Sequence, residues 1–472
     1  MKELNQADLI RVGHVDSFEI VGETLQGEGV ARHNGMALFI PYTFIGDRVK
    51  AKIREVKKKY GRAELLEVIE PAQERIKAPC PVFGQCGGCQ LQMMDYQRQL
   101  QLKEQSLKDT FQRLGSFYDL PIDPIVGATN PWNYRNKVQM HVTWQVGKPL
   151  QIGYYRRASR QLIEYDGCLL IPPVFSRLLK LFRTFLPAVD REKKLPIKHV
   201  LIKSVRSSSD DSAEQATSLM MILVLERWKK NYQDLCGELA QKLMKEEPSL
   251  QSFYINRNKN DKGPVLGEYF PFYLGEKMLL ENIESSTEKA LELQVGPASF
   301  LQVNPEQSDR LYQLVLEAAQ LTGNEKVLDA YCGVGSISLY VAPHCRSVTG
   351  VEEVVQAVED GKENALRNEV GHVEFLAGKV EELLPAFVEE GVTYDVCLLD
   401  PPRKGCSETV LAAVDAMNPQ RIVYVSCDPA SLVRDTIFLT QRGWSIKKVT
   451  PVDLFPQTGH LECVVLMSRD EK

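Results

Sequence analysis

The chain has 472 residues, 44% hydrophobic and 25% charged, with a formal net charge of −5 and 11 cysteines. That length exceeds what one hydrophobic core can organise, so several domains are expected. A charge so close to balance excludes a uniformly basic nucleic-acid binder, and any basic surface has to be local.

In chain order, the opening MKELNQADLIRVGHV has no apolar stretch of leader type. No later apolar run approaches the ~18–20 residues that span a bilayer; SLMMILVL (218–225) is strand-sized. A cytoplasmic chain without membrane contact is expected, with thiols that are core, metal-bound or catalytic rather than paired as disulfides. Residues 8–70 alternate short Val/Ile/Phe runs with Gly-Glu-Gly and Asn-Gly turns, which reads as a small β-barrel of OB type. Its later strands carry Arg48, Lys50, Lys52, Arg54, Lys57, Lys58, Lys59 and Arg62 against Asp47 and Glu55. Such an edge suits nucleic acid, or is an edge strand protected by lysine.

Cys80, Cys86 and Cys89 follow, with Cys168 far downstream. Three clustered thiols and a remote fourth suit an iron–sulfur cluster or a structural zinc, and the spacing does not choose between them. A helix is expected over 95–115, then an α+β region with strands at 137–145 and 218–227, helices at 173–185 and 232–246, and a hydrophilic loop over 204–218.

From about 296 the pattern becomes regular. Asn304-Pro305 opens an amphipathic helix. Strands KVLDAYCG, SVTGVE, VEFLAG, YDVCLLDPP and RIVYVSC then alternate with helical stretches, which predicts a doubly wound parallel sheet with ligands at the C-terminal strand ends. LDAYCGVGS (328–336) is a strand, a glycine turn and a helix start. Glu352 stands 23 positions after Asp329, where an acid can take both hydroxyls of a ribose. With no triphosphate cradle present, this combination favours S-adenosylmethionine.

Asp400-Pro401-Pro402 ends the fourth strand, and Arg403 stands where amino-methylating enzymes place an aromatic residue. Cytosine-C5 enzymes carry a cysteine in this loop, but Cys406 is displaced from that position. Cys427 ends the fifth strand in VSCDPA. Methylation of a pyrimidine at C5 needs a thiolate to add to C6 and a base to remove the C5 proton. A following helix would lower the pKa of Cys427, and Asp428 would oppose that. Glu462, which interrupts an apolar final strand, is the favoured base, with His460 its rival. Cys236, Cys332, Cys345, Cys397 and Cys463 read as core.

PASFLQVNP (297–305), LDAYCGVGS, GVE (350–352), LLDPPRKG (398–405), YVSCDPASLVRD and GHLEC (459–463) stand in an order that resembles the TrmA/RumA-type RNA uracil-5 methyltransferases. The resemblance implies a TRAM barrel at 8–71, a central α+β domain from 72–93 and 130–290, and a Rossmann-like methyltransferase domain from 94–129 and 291–472. It implies that Gln302, Tyr331, Glu352 and Asp400 contact S-adenosylmethionine, that Cys427 is the nucleophile and that Glu462 takes the proton. It further implies that Cys80, Cys86, Cys89 and Cys168 hold a [4Fe–4S] cluster, ahead of zinc, in a structural and RNA-positioning role. The implied partner is 23S rRNA, methylated at one or two uridines by a monomer. The alternatives are a tRNA uracil-5 enzyme, an RNA cytosine-5 enzyme and a catalytically silent RNA-binding or ribosome-assembly protein. Two positions depart from the family pattern: Ser336, where relatives often have Asn, and Lys379, where an acid or amide often meets adenine.

Overall fold

The structure, a computed structural model, describes residues 11–157, 159–165, 167–207, 217–260, 262–287 and 289–469. The start of the expected barrel, residues 8–10, and most of the hydrophilic 204–218 loop lie outside the described residues. The chain forms two compact units. One comprises Met1–Asp109, Tyr154–Ile163 and Phe455–Leu461; the other comprises Thr110–Gly153, Glu164–Leu454 and Glu462–Lys472.

The first unit is built on the expected barrel, closed from five strands in the order Val15–Glu23, Glu28–His33, Met36–Pro41, Tyr60–Glu70 and Arg48–Val56. Alternation along the strands turns Phe18, Ile20, Leu38, Ile40, Val49 and Ile53 into the interior. Asn34 and Gly35, both at positive φ, close the hairpin between His33 and Met36. That is the mirror-image turn that fits right-twisted strands. The basic edge is partly neutralised: Arg48 pairs with Glu70, Arg54 with Glu64, Lys57 with Glu55 and Arg62 with Glu28. Among the described residues, Lys50, Lys52, Lys58 and Lys59 make no ion pair. The expected long helix runs Tyr96–Gly115.

In the second unit, five neighbouring strands of one larger sheet run in the order Tyr269–Gly275, Leu250–Arg257, Thr217–Leu225, Ile197–Arg206 and Lys137–Thr143. The Thr217–Leu225 strand is buried almost throughout, as its unbroken apolar run requires. Helices Pro173–Val189 and Gln233–Glu246 match expectation to within a few residues.

A second sheet of seven strands has the order Val373–Ala377, Ser347–Glu352, Lys326–Ala330, Val396–Leu399, Arg421–Ser426, Glu462–Arg469 and Trp444–Val452. The first five strands are parallel. Glu462–Arg469 runs antiparallel to both of its neighbours, so the sheet is mixed rather than all-parallel. Apolar runs encode burial but not strand direction, and Glu462–Arg469 slots between Arg421–Ser426 and Trp444–Val452. Among the described residues no helix is long and apolar enough to cross a membrane.

Candidate active site at the strand tips

The Lys326–Ala330 strand ends in a turn where Tyr331, Gly333 and Gly335 all adopt positive φ. A β-carbon at Gly335 would strike the Phe375 ring at 2.4 Å, whereas one at Gly333 would meet nothing within 4 Å. Gly333 therefore faces open space while Gly335 is needed for packing. The Glu352 carboxylate is fixed by the amides of Gly333 (3.1 Å) and Val354 (2.8 Å). Asp329 is wholly buried: one oxygen accepts the Ser338 hydroxyl, and the other has no partner among the described residues. Burial pushes its carboxyl up to about 7. Asp400 is likewise pushed up to about 7, by burial and by the charge of Asp329. The Tyr331 hydroxyl donates to Glu381 at 3.4 Å. An orphaned carboxylate oxygen, an open glycine and a pinned acid at the ends of two neighbouring strands fit a polar adenosyl ligand.

Gln302 lies on the segment leading into the Pro305–Ala319 helix and shares a cavity lining with Tyr312. The Asn304 side chain caps this helix on the Gln307 amide, with Pro305 in the first turn. The Gln302 carbonyl accepts from the Asn136 side-chain amide at 2.9 Å, and the Asn136 backbone amide donates to Val303 at 2.9 Å.

Cys427 follows the Arg421–Ser426 strand and precedes the Pro429–Thr440 helix. Asp428 caps that helix, its carboxylate accepting from the Ser431 amide at 2.8 Å. Glu462 opens the last strand and is 5% exposed. Since Ser426 pairs with Cys463, Glu462 and Cys427 end up side by side at the tips of neighbouring strands. The Cys427 thiol is pushed up to about 11 by burial and then by Glu462, with Arg403 pulling the other way. This corrects the expectation of a helix-lowered pKa: half-burial and a neighbouring carboxylate outweigh the helix end. Burial, together with the charge of Asp400, holds the Glu462 carboxyl well above its ordinary range, and Arg403 opposes them. Cys427, Glu462, Asp400 and Arg403 thus form one electrostatic group.

The loop carrying Arg403 is clamped by the Pro429–Thr440 helix, a feature that sequence reasoning missed. The Ser431 hydroxyl donates to the Arg403 carbonyl at 3.1 Å, and Arg434 donates to the carbonyls of Lys404 (2.8 Å) and Cys406 (3.2 Å). Buried Asp435 accepts from the Cys406 amide (2.8 Å), the Tyr424 hydroxyl (2.6 Å) and Arg434 Nε (2.8 Å). The Arg-Asp pair in SLVRD, polar where the helix should be apolar, was the available signal. Cys406 is 4% exposed, its thiol is pushed up to about 12, and it precedes the Glu408–Met417 helix rather than starting it. His460 belongs to the first unit, its ring against Phe455 at 5.5 Å.

Cys80, Cys86 and Cys89 are half-buried cysteines of the first unit, and Cys168 is a half-buried cysteine of the second. Among the described residues, no three His, Cys, Asp or Glu side chains are gathered into a metal site. Cys345, Cys397, Cys463 and Cys236 are buried, as expected of core thiols, and Cys332 is partly so.

Residues 95–470 match the family model described as tRNA (uracil-5-)-methyltransferase, and residues 17–66 match the TRAM domain. The chain is 37% identical to an "uncharacterized RNA methyltransferase" of Halalkalibacterium halodurans over 96% of its own length and 97% of the relative's. It is 35% identical to another of that description from Clostridium tetani, over 95% of each chain. The crystal structure of the Pyrococcus abyssi tRNA (uracil-54, C5)-methyltransferase in complex with S-adenosyl-L-homocysteine shares the fold. Its TM-score is 0.72 and its identity 21%, covering 95% of this chain and 100% of that one. The chain belongs to the tRNA (uracil-5-)-methyltransferase family with an added TRAM domain, and is an S-adenosylmethionine-dependent RNA methyltransferase.

Proposed function

We propose that the enzyme methylates carbon 5 of uridine in 23S rRNA, acting as a cytoplasmic monomer at one or two positions. The observation that supports the C5 chemistry is the adjacency of Cys427 and Glu462 at neighbouring strand tips, and the 23S rRNA target follows from the resemblance. Bound S-adenosylmethionine supplies an electrophilic methyl group; Gln302, Tyr331, Glu352 and Asp400 hold it. The Cys427 thiolate adds to C6 of the uracil, which pushes the ring electrons onto C5. C5 forms its new bond to the methyl carbon as the carbon–sulfur bond of the donor breaks. Glu462 then removes the C5 proton, the C5–C6 double bond re-forms and the thiolate leaves. The target base has to be out of its helix for both faces to be reached.

Cys427→Ala is expected to abolish 5-methyluridine while S-adenosylmethionine still binds in calorimetry; methyl transfer by that variant would refute the nucleophile. Glu462→Gln is expected to stall after methyl transfer, leaving protein covalently joined to RNA on denaturing gels. Free protein with normal turnover would exclude it as the base.

By resemblance, Cys80, Cys86, Cys89 and Cys168 would hold a [4Fe–4S] cluster, ahead of the structural zinc that four thiolates equally suit. No step of methyl transfer runs through it. Iron with matching acid-labile sulfide in anaerobically purified protein supports the cluster, and zinc alone replaces it.

A further inference from the structure

Within the second unit, Lys137 and Lys203 stand directly opposite each other on the antiparallel strands Lys137–Thr143 and Ile197–Arg206. Lysines facing each other across a sheet are costly unless something neutralises them. Lys203 is 5% exposed and is satisfied without an acid: its ammonium donates to the carbonyls of Gly296 (3.0 Å), Pro297 (2.8 Å) and Ser299 (2.9 Å). Those bonds hold the loop whose next residue, Phe300, is 67% exposed. Two residues beyond Phe300 lies Gln302, whose carbonyl is tied to Asn136, the neighbour of Lys137. Lys137 is half-buried and, among the described residues, has no hydrogen-bond or ion-pair partner. Burial lowers the pKa of both lysines, that of Lys203 to about 7, with Lys137 adding to the effect.

We propose that Lys137 is a phosphate-binding position for the RNA strand that carries the target base. It is a cation that the fold leaves uncompensated, facing the lysine that holds the loop leading to exposed Phe300, and next in the chain to Asn136, which binds the Gln302 segment. A backbone phosphate would supply the missing charge while Phe300 offers a stacking face to a neighbouring base. Lys203 is the positioning residue behind it, holding the 296–299 loop in place by three carbonyls. The inference rests on the RNA-methylating reading above. It differs from that reading by assigning a substrate contact outside the nucleophile, the base and the methyl-donor pocket.

Lys137→Met is the decisive variant, because a side chain kept for structure and one kept for RNA respond oppositely. Removing an uncompensated, half-buried charge is expected to raise Tm. The same change is expected to raise the KM for an rRNA fragment on the order of tenfold and to flatten the log Kd against log salt slope by about 0.7. Lys137→Arg is expected to restore both RNA values. Calorimetric affinity for S-adenosylmethionine is expected to stay at the wild-type level. An unchanged KM and salt slope in Lys137→Met would overturn the proposal, as would a loss confined to S-adenosylmethionine affinity, which would place the donor's carboxylate at Lys137. Failure of the wild-type enzyme to methylate any RNA would instead overturn the underlying function and this inference with it.

Discussion

Arg403 is a cation whose charge acts on both Cys427 and Glu462, against burial and the neighbouring carboxylates. Burial and the Asp400–Glu462 charges keep the thiol and the carboxylate protonated, while Arg403 favours their ionised forms. In the proposed mechanism both groups act deprotonated, so activity is expected to climb with pH through the neutral range toward the thiol's value of about 11. Arg403→Gln removes the opposing charge and moves both pKa values further up. The alkaline-rising limb of kcat/KM is expected to shift to higher pH, with a loss of about tenfold or more at pH ~7.5. An unshifted limb would show that Arg403 does not tune the pair. Cys427 and Glu462 were legible in the sequence because each stands where an apolar strand meets a turn, and there an exception is visible. The direction of the thiol's pKa was not legible: it depends on a carboxylate 35 positions away that only strand pairing brings close.

At the scale of elements, the Pro429–Thr440 helix is the part that makes a strand-tip loop rigid. Asp435, 1% exposed, gathers three donors from the loop, from Tyr424 and from its own neighbour Arg434. Asp435→Ala takes from the buried Tyr424 hydroxyl its acceptor and leaves the Cys406 amide only the longer bond to Tyr424 (3.3 Å), and is expected to cost about 2–3 kcal/mol by urea denaturation. A cost below about 1 kcal/mol would mean that the loop is held otherwise. Helices and strands of this unit were largely legible, since the 304–319 cap signals and the alternating βα pattern are local. The antiparallel placement of Glu462–Arg469 was not, because an apolar run reads the same in either direction. Asn136, Lys203 and the 296–299 loop escaped notice for a related reason. The lysine in LIKSV was visible as a polar break, but its carbonyl partners lie some 95 residues on.

At the scale of the molecule, each unit carries its own resource for RNA. The barrel leaves Lys50, Lys52, Lys58 and Lys59 outside its ion pairs, so its basic character is about half of what the sequence suggests. Replacing those four lysines by glutamine is expected to weaken binding of every RNA tested by a similar factor and to reduce the salt slope, with the affinity for S-adenosylmethionine unchanged. Loss confined to one RNA sequence would contradict a purely electrostatic role. The barrel itself was legible from its glycine-punctuated alternation. The neutralisation was not, because Arg62 meets Glu28 and Arg48 meets Glu70 only after the strands pair.

The central claim is that the Cys427 sulfur bonds to C6 of the target uridine before the C5 proton leaves. It is tested most directly with rRNA carrying 5-fluorouridine, whose C5 substituent Glu462 cannot remove as a proton. Peptide mass spectrometry after incubation with S-adenosylmethionine should find methylated 5-fluorouridine RNA attached to the peptide that contains Cys427. An adduct on Cys406 or another thiol, or no adduct with an enzyme that still methylates ordinary uridine, would contradict it.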